Sequence, residues 1–327
     1  MPKVCIIGAG AIGGFIGARL ALAGNCAVSA IARSATLAAL QAHGWRLRMG
    51  GEERSAPALA TDDAAALGVQ DIVVIAVKGP ALEQVAGTLA PLLGPDTTVV
   101  PAMNGVPWWF CAGQPGWDGS PLRAVDPQGR IAAAIPLERV LGCVVHASCS
   151  CPEPGVVQQA GGRGLIVGEP GGGASDRATA LAALLSDAGF DATVSADVRY
   201  DIWYKLWGNL NMNPLSAVTG ATVDRLLDDP QLRGFCAQVM GEAAAVGRAV
   251  GCNVTQSAED RFAVTRKLGV FKPSMLQDAE AGRALELDAI VTAVHEIGLR
   301  RGVPTPGIDA LLGITRVFAQ RHGLYPM

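Results

Sequence analysis

The chain has 327 residues, enough for two domains; half of them are hydrophobic, 17% are charged, and the mean hydropathy is +0.31. No stretch supplies the roughly 20 uninterrupted apolar residues of a membrane-spanning helix: 97–117 carries three prolines with Asn104 and Gln114, 206–223 carries Asn209, Asn211 and Asn213, and Val4–Ala18 is short and holds five glycines. The hydrophobicity excludes a disordered chain, the sparse charge excludes a coiled coil, and a net charge of −3 without a basic block argues against nucleic acid as a main partner.

Met1–Ala27 has the outline of a secretory signal, a Lys and then an apolar stretch, but Gly8, Gly10, Gly13, Gly14 and Gly17 break it. Glycines at these spacings point instead to a backbone that approaches a ligand. Lys3–Ile7 reads as a buried strand, Gly8-Ala9-Gly10-Ala11-Ile12-Gly13 follows at once, and a helical pattern runs from Ala11 to about Ala23. This is the context of the dinucleotide fingerprint. Gly8 permits the tight turn, Gly10 lets a pyrophosphate reach the backbone, and Gly13 lets the helix pack on the sheet. The first N–H groups of the helix, at Ala11 and Ile12, face the anion.

The next strand, Ala27–Ala32, ends in Arg33-Ser34 with no acidic residue where NAD enzymes commonly carry one. Arg33 would pair with a 2′-phosphate, favouring NADP; the alternative is a solvated surface Arg. Asp71–Val77 and Thr97–Pro101 read as further strands, and their carboxyl ends carry Lys78 and Asn104, where ligands of open parallel sheets sit. Only five of the 26 basic residues are Lys, so a Lys at a strand end hints at a point-charge role, against the alternative of a surface Lys. After Asn104-Gly105 comes a Gly/Pro-rich stretch to about Pro136. Within it Leu122–Val125 and Arg130–Ile135 read as a hairpin. Strands are predicted at Leu141–Ala147, Gly155–Gln159, Leu165–Gly168 and Ala192–Ser195, with a helix at Ser175–Ala188.

From residue 196 helical periodicity dominates, which predicts a Rossmann domain over 1–195 and a helical substrate domain over 196–327. The helix near Arg199–Asn213 places Lys205, Asn209 and Asn213 at i, i+4 and i+8, on one face, among Trp203, Tyr204, Leu206, Trp207, Leu210 and Met212. Such a stripe is costly in an apolar helix unless its polar groups meet a ligand or each other. The alternative is a wet surface stripe, with Asn213 ending the helix before Pro214. Ser274 and Gln277 have the spacing of a capping box, which explains Ser274 as well as a functional role does. Glu286 lies among Leu285, Leu287, Ile290 and Val291 and wants a partner, for which a Lys from the other helix is a candidate. The eight cysteines show no C-x-x-C spacing and read as reduced thiols of a cytoplasmic protein; no metal site is predicted.

Together these segments resemble the ketopantoate reductase family, over nearly the whole chain. The resemblance rests on Gly8-x-Gly10-x-x-Gly13, Arg33, Lys78 and Asn104-Gly105. It rests further on Trp203-Tyr-Lys205-Leu-x-x-Asn209-x-x-x-Asn213-Pro214-Leu215 and on Ser274-Met-Leu-Gln-Asp278 with Glu286. It implies an α/β N-terminal Rossmann domain with a doubly wound, mostly parallel sheet, and an all-α C-terminal domain similar to that of 6-phosphogluconate dehydrogenase. It also implies NADPH-dependent reduction of the C2 ketone of ketopantoate (2-dehydropantoate) to pantoate, a step towards coenzyme A. Lys205 and Glu286 would be the catalytic pair. Asn104, Asn209, Asn213 and Ser274 would bind substrate or orient the nicotinamide end. Gly8, Gly10, Ala11, Ile12, Gly13, Arg33, Lys78 and Asn104 would contact the cofactor. The active site is then expected in the cleft between the domains.

The stretch 107–136 departs from shorter family members. It either lines the cleft through Trp108 or Trp109, or forms the interface of a homodimer, or is peripheral. A changed cleft mouth would select a different 2-keto acid. A non-catalytic NADP-binding sensor is the reading from another class; retention of every polar motif position argues against it.

Overall fold

The computed structural model describes residues 1–267 and 269–327. The chain divides into two compact units, 1–103 with 129–201, and 104–128 with 202–327. The first unit is α/β and the second is helical.

In the first unit, β1 (Lys3–Ile7), β2 (Ala27–Ile31), β5 (Leu59–Thr61), β6 (Gln70–Ile75) and β7 (Leu93–Pro101) form a parallel sheet in the order β5-β2-β1-β6-β7. Val4 to Ile7 are all buried, as expected of a parallel strand covered on both faces. Helices α1 (Ala11–Ala23), α2 (Ser34–His43) and α3 (Gly79–Ala86) make the crossovers. Neighbours β2 and β6 lie on either side of β1, so the carboxyl end of β1 is the topological switch point where such sheets bind ligands.

A second, mixed sheet contains β3 (Trp45–Met49), β4 (Glu52–Ala56), β8 (Gly142–Glu153), β9 (Val156–Gly168) and β10 (Asp191–Val194). The two strands predicted at 155–159 and 165–168 are one long strand, β9, paired with β8 through several register shifts. Helix α1 packs against this second sheet: a Cβ at Gly14 would lie 2.6 Å from Val157, and one at Gly17 would lie 2.4 Å from the Trp45 ring. These two glycines therefore serve packing, although the spacing of the series suggests a backbone approaching a ligand.

The hairpin predicted around Asp126–Gly129 does not form. Arg130–Ala134 is a short helix, α4, which its Ile-Ala-Ala-Ala run favours over a strand. The N–H groups of Arg123 and Ala124 donate instead to the Glu296 carboxylate, at 2.9 and 2.7 Å. Helix α5 (Asp176–Asp187), capped by Ser175, completes the first unit's elements.

The second unit consists of most of α6 (Val198–Thr219) with α7 (Val223–Asp228), α8 (Pro230–Ala249), α9 (Ala258–Arg266), α10 (Ser274–Glu280), a π-helical turn at Asp288–Thr292, α11 (Ala293–Arg301) and α12 (Pro306–Arg321). None of the described helices is long and apolar enough to cross a membrane. The segment 104–128 belongs with this unit, not with the strand it follows. Phe110 stacks on Trp203 at 5.6 Å, the guanidiniums of Arg300 and Arg301 lie over Trp117, and Arg301 donates to the carbonyls of Pro115 and Gly116.

Candidate active site

The opening turn has the shape that the sequence asks of it. Gly8 sits at φ +88°, and a Cβ there would meet Val77 at 2.7 Å and the Ala76 carbonyl at 3.0 Å. A Cβ at Gly13 would fall 2.1 Å from the Gly8 carbonyl oxygen, so the first turn of α1 can lie against the strand end only without one. At Gly10 a Cβ would meet nothing within 4 Å, and the residue is exposed. Open space at the N-terminus of a 13-residue helix without acidic residues in its first turn is a cradle for an anion. The residues present fit the pyrophosphate of a dinucleotide, with the backbone of Ala11 and Ile12 at its edge.

Arg33 stands at the N-cap of α2, exposed, and donates to Gln84 Oε1 at 3.1 Å. Ser34 beside it has φ +51°, the one positive φ outside glycine among the described residues. A Ser held there costs on the order of 1 kcal/mol, strain of the kind that collects at ligand-binding loops. Lys78 is the N-cap residue of α3, at the carboxyl end of β6.

In the second unit the sequence of α6 sets its own rotation. Trp203, Trp207 and Asn211, at i, i+4 and i+8, donate to the carbonyls of Ala243, Met240 and Cys236 along α8, at 3.2, 2.8 and 3.1 Å. Gly247 makes room: a Cβ there would be 2.2 Å from Trp203 Nε1. Lys205, Asn209 and Asn213 follow each of these anchors by two residues. At 100° per residue they lie about 160° around the helix, facing away from α8. Lys205 and Asn209 are half-buried and Asn213 is buried.

The helix does not end at Asn213. It continues through Pro214 to Thr219, with Ser216 and Thr219 hydroxyls donating to the carbonyls of Asn213 and Leu215. The flank of α6 next to the polar stripe is covered by Arg261, whose guanidinium lies 4.7 Å from the Tyr204 ring and against Gly208.

Lys205 Nζ donates to Asn104 Oδ1 at 2.8 Å, which joins two predicted site residues 101 positions apart. The loop that carries Asn104 is fixed by its successors. Gly105 has φ +82°, and a Cβ on it would lie 2.5 Å from Ala289 O and 2.7 Å from Ala289 Cβ. Val106 N–H donates to the Ala289 carbonyl at 2.7 Å. Ala289 belongs to the π-helical turn that begins two residues after Glu286. A π turn leaves a carbonyl outside the regular helical ladder, and such turns recur at functional sites. Lys205, Asn104 and the Glu286 segment are thus one connected assembly. Gly105→Ala is expected to destabilise the protein by about 1–3 kcal/mol through overpacking and backbone strain. Turnover should fall with it because Asn104 moves; an unchanged melting temperature would contradict the close approach.

Ser274 is exposed and is the first residue of α10, with Pro273 at the N-cap. The capping-box alternative is therefore not used, because a Ser at the first helical position cannot cap. Trp108 and Trp109, expected among other roles to line a cleft, are buried at 5% and 3% exposure. The anchoring stripe of Trp203, Trp207 and Asn211 was not legible as such, although its i, i+4, i+8 spacing is visible.

Two family models match the chain. Ketopantoate reductase PanE/ApbA matches residues 4–172, and Ketopantoate reductase PanE/ApbA C terminal matches 197–319. A 2-dehydropantoate 2-reductase of Mesorhizobium japonicum is 44% identical over 324 residues, covering 99% of each chain. A crystal structure described as a candidate ketopantoate reductase from Ralstonia solanacearum is 57% identical, with a TM-score of 0.95 over 99% of both chains. That of 2-dehydropantoate 2-reductase from Methylococcus capsulatus is 28% identical, with a TM-score of 0.83 over 98% of this chain and 97% of that one. With the glycine turn, the Lys205–Asn104 pair and both family models covering its two units, the chain belongs to the ketopantoate reductase family.

Proposed function

We propose that this protein reduces the C2 ketone of ketopantoate to pantoate, using a reduced nicotinamide dinucleotide with preference for NADPH. The observation that carries this reading is the Lys205 ammonium, held by Asn104 on the face of α6 turned away from its anchoring stripe. The relatives named 2-dehydropantoate 2-reductase support the choice of substrate.

When bound, the dinucleotide supplies the hydride; the chain's own residues supply orientation, charge and a proton. Adding a hydride to the ketone carbon builds negative charge on its oxygen. Lys205 donates a hydrogen bond to that oxygen and passes it the proton as the charge develops, leaving a secondary alcohol and a neutral amine that solvent reprotonates. Asn104 accepts from one N–H of Lys205 and so fixes the direction of the ammonium. Glu286 accepts from the product hydroxyl and orients the substrate. Asn209, Asn213 and Ser274 offer uncharged hydrogen-bond partners to the carboxylate and hydroxyl groups.

The cofactor residues are Gly8, Gly10, Ala11, Ile12 and Gly13 at the pyrophosphate, Lys78 and Asn104 farther along, and Arg33 at a 2′-phosphate. The absence of an acid after β2 and the strained Ser34 beside Arg33 support NADPH. Arg33→Ala is expected to weaken NADPH by about ten- to hundredfold, the equivalent of a charge-assisted hydrogen bond of roughly 1.5–3 kcal/mol, and to leave NADH unchanged. Equal weakening of both cofactors in fluorescence titrations would refute the phosphate role.

Trp108 and Trp109 are buried, and the Trp109 indole N–H has no hydrogen-bond partner among the described residues. Measuring kcat/KM across a panel of 2-keto acids tests the assignment. Ketopantoate should rank first, and a higher value for another member would transfer the reading to that acid.

A further inference from the structure

The dipeptide Leu324-Tyr325 grips the segment that carries Glu286 at two points. Leu285 N–H donates to the Leu324 carbonyl at 2.9 Å, and the Tyr325 hydroxyl donates to Asp288 Oδ1 at 2.5 Å. Glu286 lies between these contacts. Leu324 is itself buried, and its N–H is tied to the Ala319 carbonyl of α12 at 2.7 Å. Burial, with the Asp288 carboxylate close by, pushes the Tyr325 phenol well up, so it keeps its proton and remains a donor.

Asp288 opens the π-helical turn. A π turn holds one more residue than an α turn, and relaxing it would rotate the preceding residues by about 100° around the axis, carrying Glu286 with them. The extra residue is held from one side by Val106 on Ala289 and from the other by Tyr325 on Asp288, with Thr292 also donating to Asp288 Oδ1 at 3.3 Å.

We propose that Tyr325 is a positioning residue for Glu286, acting through Asp288 and the π-helical turn, a role that rests on the reductase reading of Lys205 and Glu286. The test is a set of steady-state measurements on Tyr325→Phe and Asp288→Asn in the full chain, with Tyr325→Phe made also in a Glu286→Gln background. Tyr325→Phe keeps the ring and loses only the hydroxyl; kcat should fall by about tenfold or more, the scale of a small displacement of a reacting group. KM for NADPH should stay put. Asp288→Asn, which keeps a carbonyl oxygen to accept from the phenol, should retain most of the rate. In the Glu286→Gln background Tyr325→Phe should cause no further loss, because the group it positions is already gone.

A wild-type kcat for Tyr325→Phe, or the same fold-loss in both backgrounds, would overturn the positioning role. The unsubstituted protein in the same assay keeps the two claims apart. If it reduces no 2-keto acid, the reductase reading fails and this role with it; if it is active and Tyr325→Phe is equally so, only the positioning role fails.

Discussion

Lys205→Ala is expected to lower kcat for ketopantoate by about 10²–10⁴-fold, the usual contribution of a positioned general acid, or roughly 3–5 kcal/mol of transition-state stabilisation. The Lys205 Nζ is held by Asn104, and its neutral neighbours along the helix face, Asn209 and Asn213, have no proton to give at neutral pH. NADPH should still bind, since the glycine turn and Arg33 are untouched and Asn104 loses one hydrogen-bond partner only. Lys205→Arg should recover little, because a planar guanidinium cannot replace a compact ammonium held in one direction by an amide oxygen, nor easily release a proton. Single-turnover kinetics with bound NADPH separate the chemical step from binding. A near-wild-type chemical rate for Lys205→Ala would remove Lys205 from the mechanism.

The glycine turn gives the second large effect, as a contrast between two positions three residues apart. Gly10→Ala adds a methyl where no protein atom lies within 4 Å and where φ is −81°, so folding should be unaffected. The methyl would stand in the space assigned to the pyrophosphate, and crowding of about 1–3 kcal/mol there lowers dinucleotide affinity by roughly ten- to hundredfold. Gly13→Ala places its methyl 2.1 Å from the Gly8 carbonyl oxygen, so helix or turn must move. Melting temperature and affinity should then fall together. Thermal melts with cofactor titrations on both variants check the pair; a destabilised Gly10→Ala with normal affinity would invert the roles given to these glycines.

What the sequence reveals is set by where the physical signal is local. β1 and the glycine turn are legible because a fully buried parallel strand is a run of apolar residues, and the turn needs glycines at fixed offsets. The face of α6 is legible because Lys205, Asn209 and Asn213 repeat at helical spacing. The second sheet of the first unit is less so: β4 is Glu-Glu-Arg-Ser-Ala, exposed in its first four residues, and no hydrophobic pattern marks it. The segment 104–128 misleads because its register is decided by partners far away in the chain. Glu296 takes the backbone N–H groups that a hairpin would have used, and Arg300 and Arg301 hold Trp117. The same holds at the site. Asn104 and Lys205 can each be picked out, but that Gly105 must be glycine follows only from Ala289, 184 residues later. The role given to Tyr325 leaves no sequence pattern at all; it exists because α12 returns the chain to the Glu286 segment.

The most direct measurement is the oxidation of NADPH by the purified protein with ketopantoate as the only oxidant, with pantoate quantified in the same samples. The expected result is saturable oxidation, one pantoate formed for each NADPH consumed, and the loss of both signals in Lys205→Ala. No ketopantoate-dependent oxidation, or oxidation without pantoate, would contradict the reductase reading.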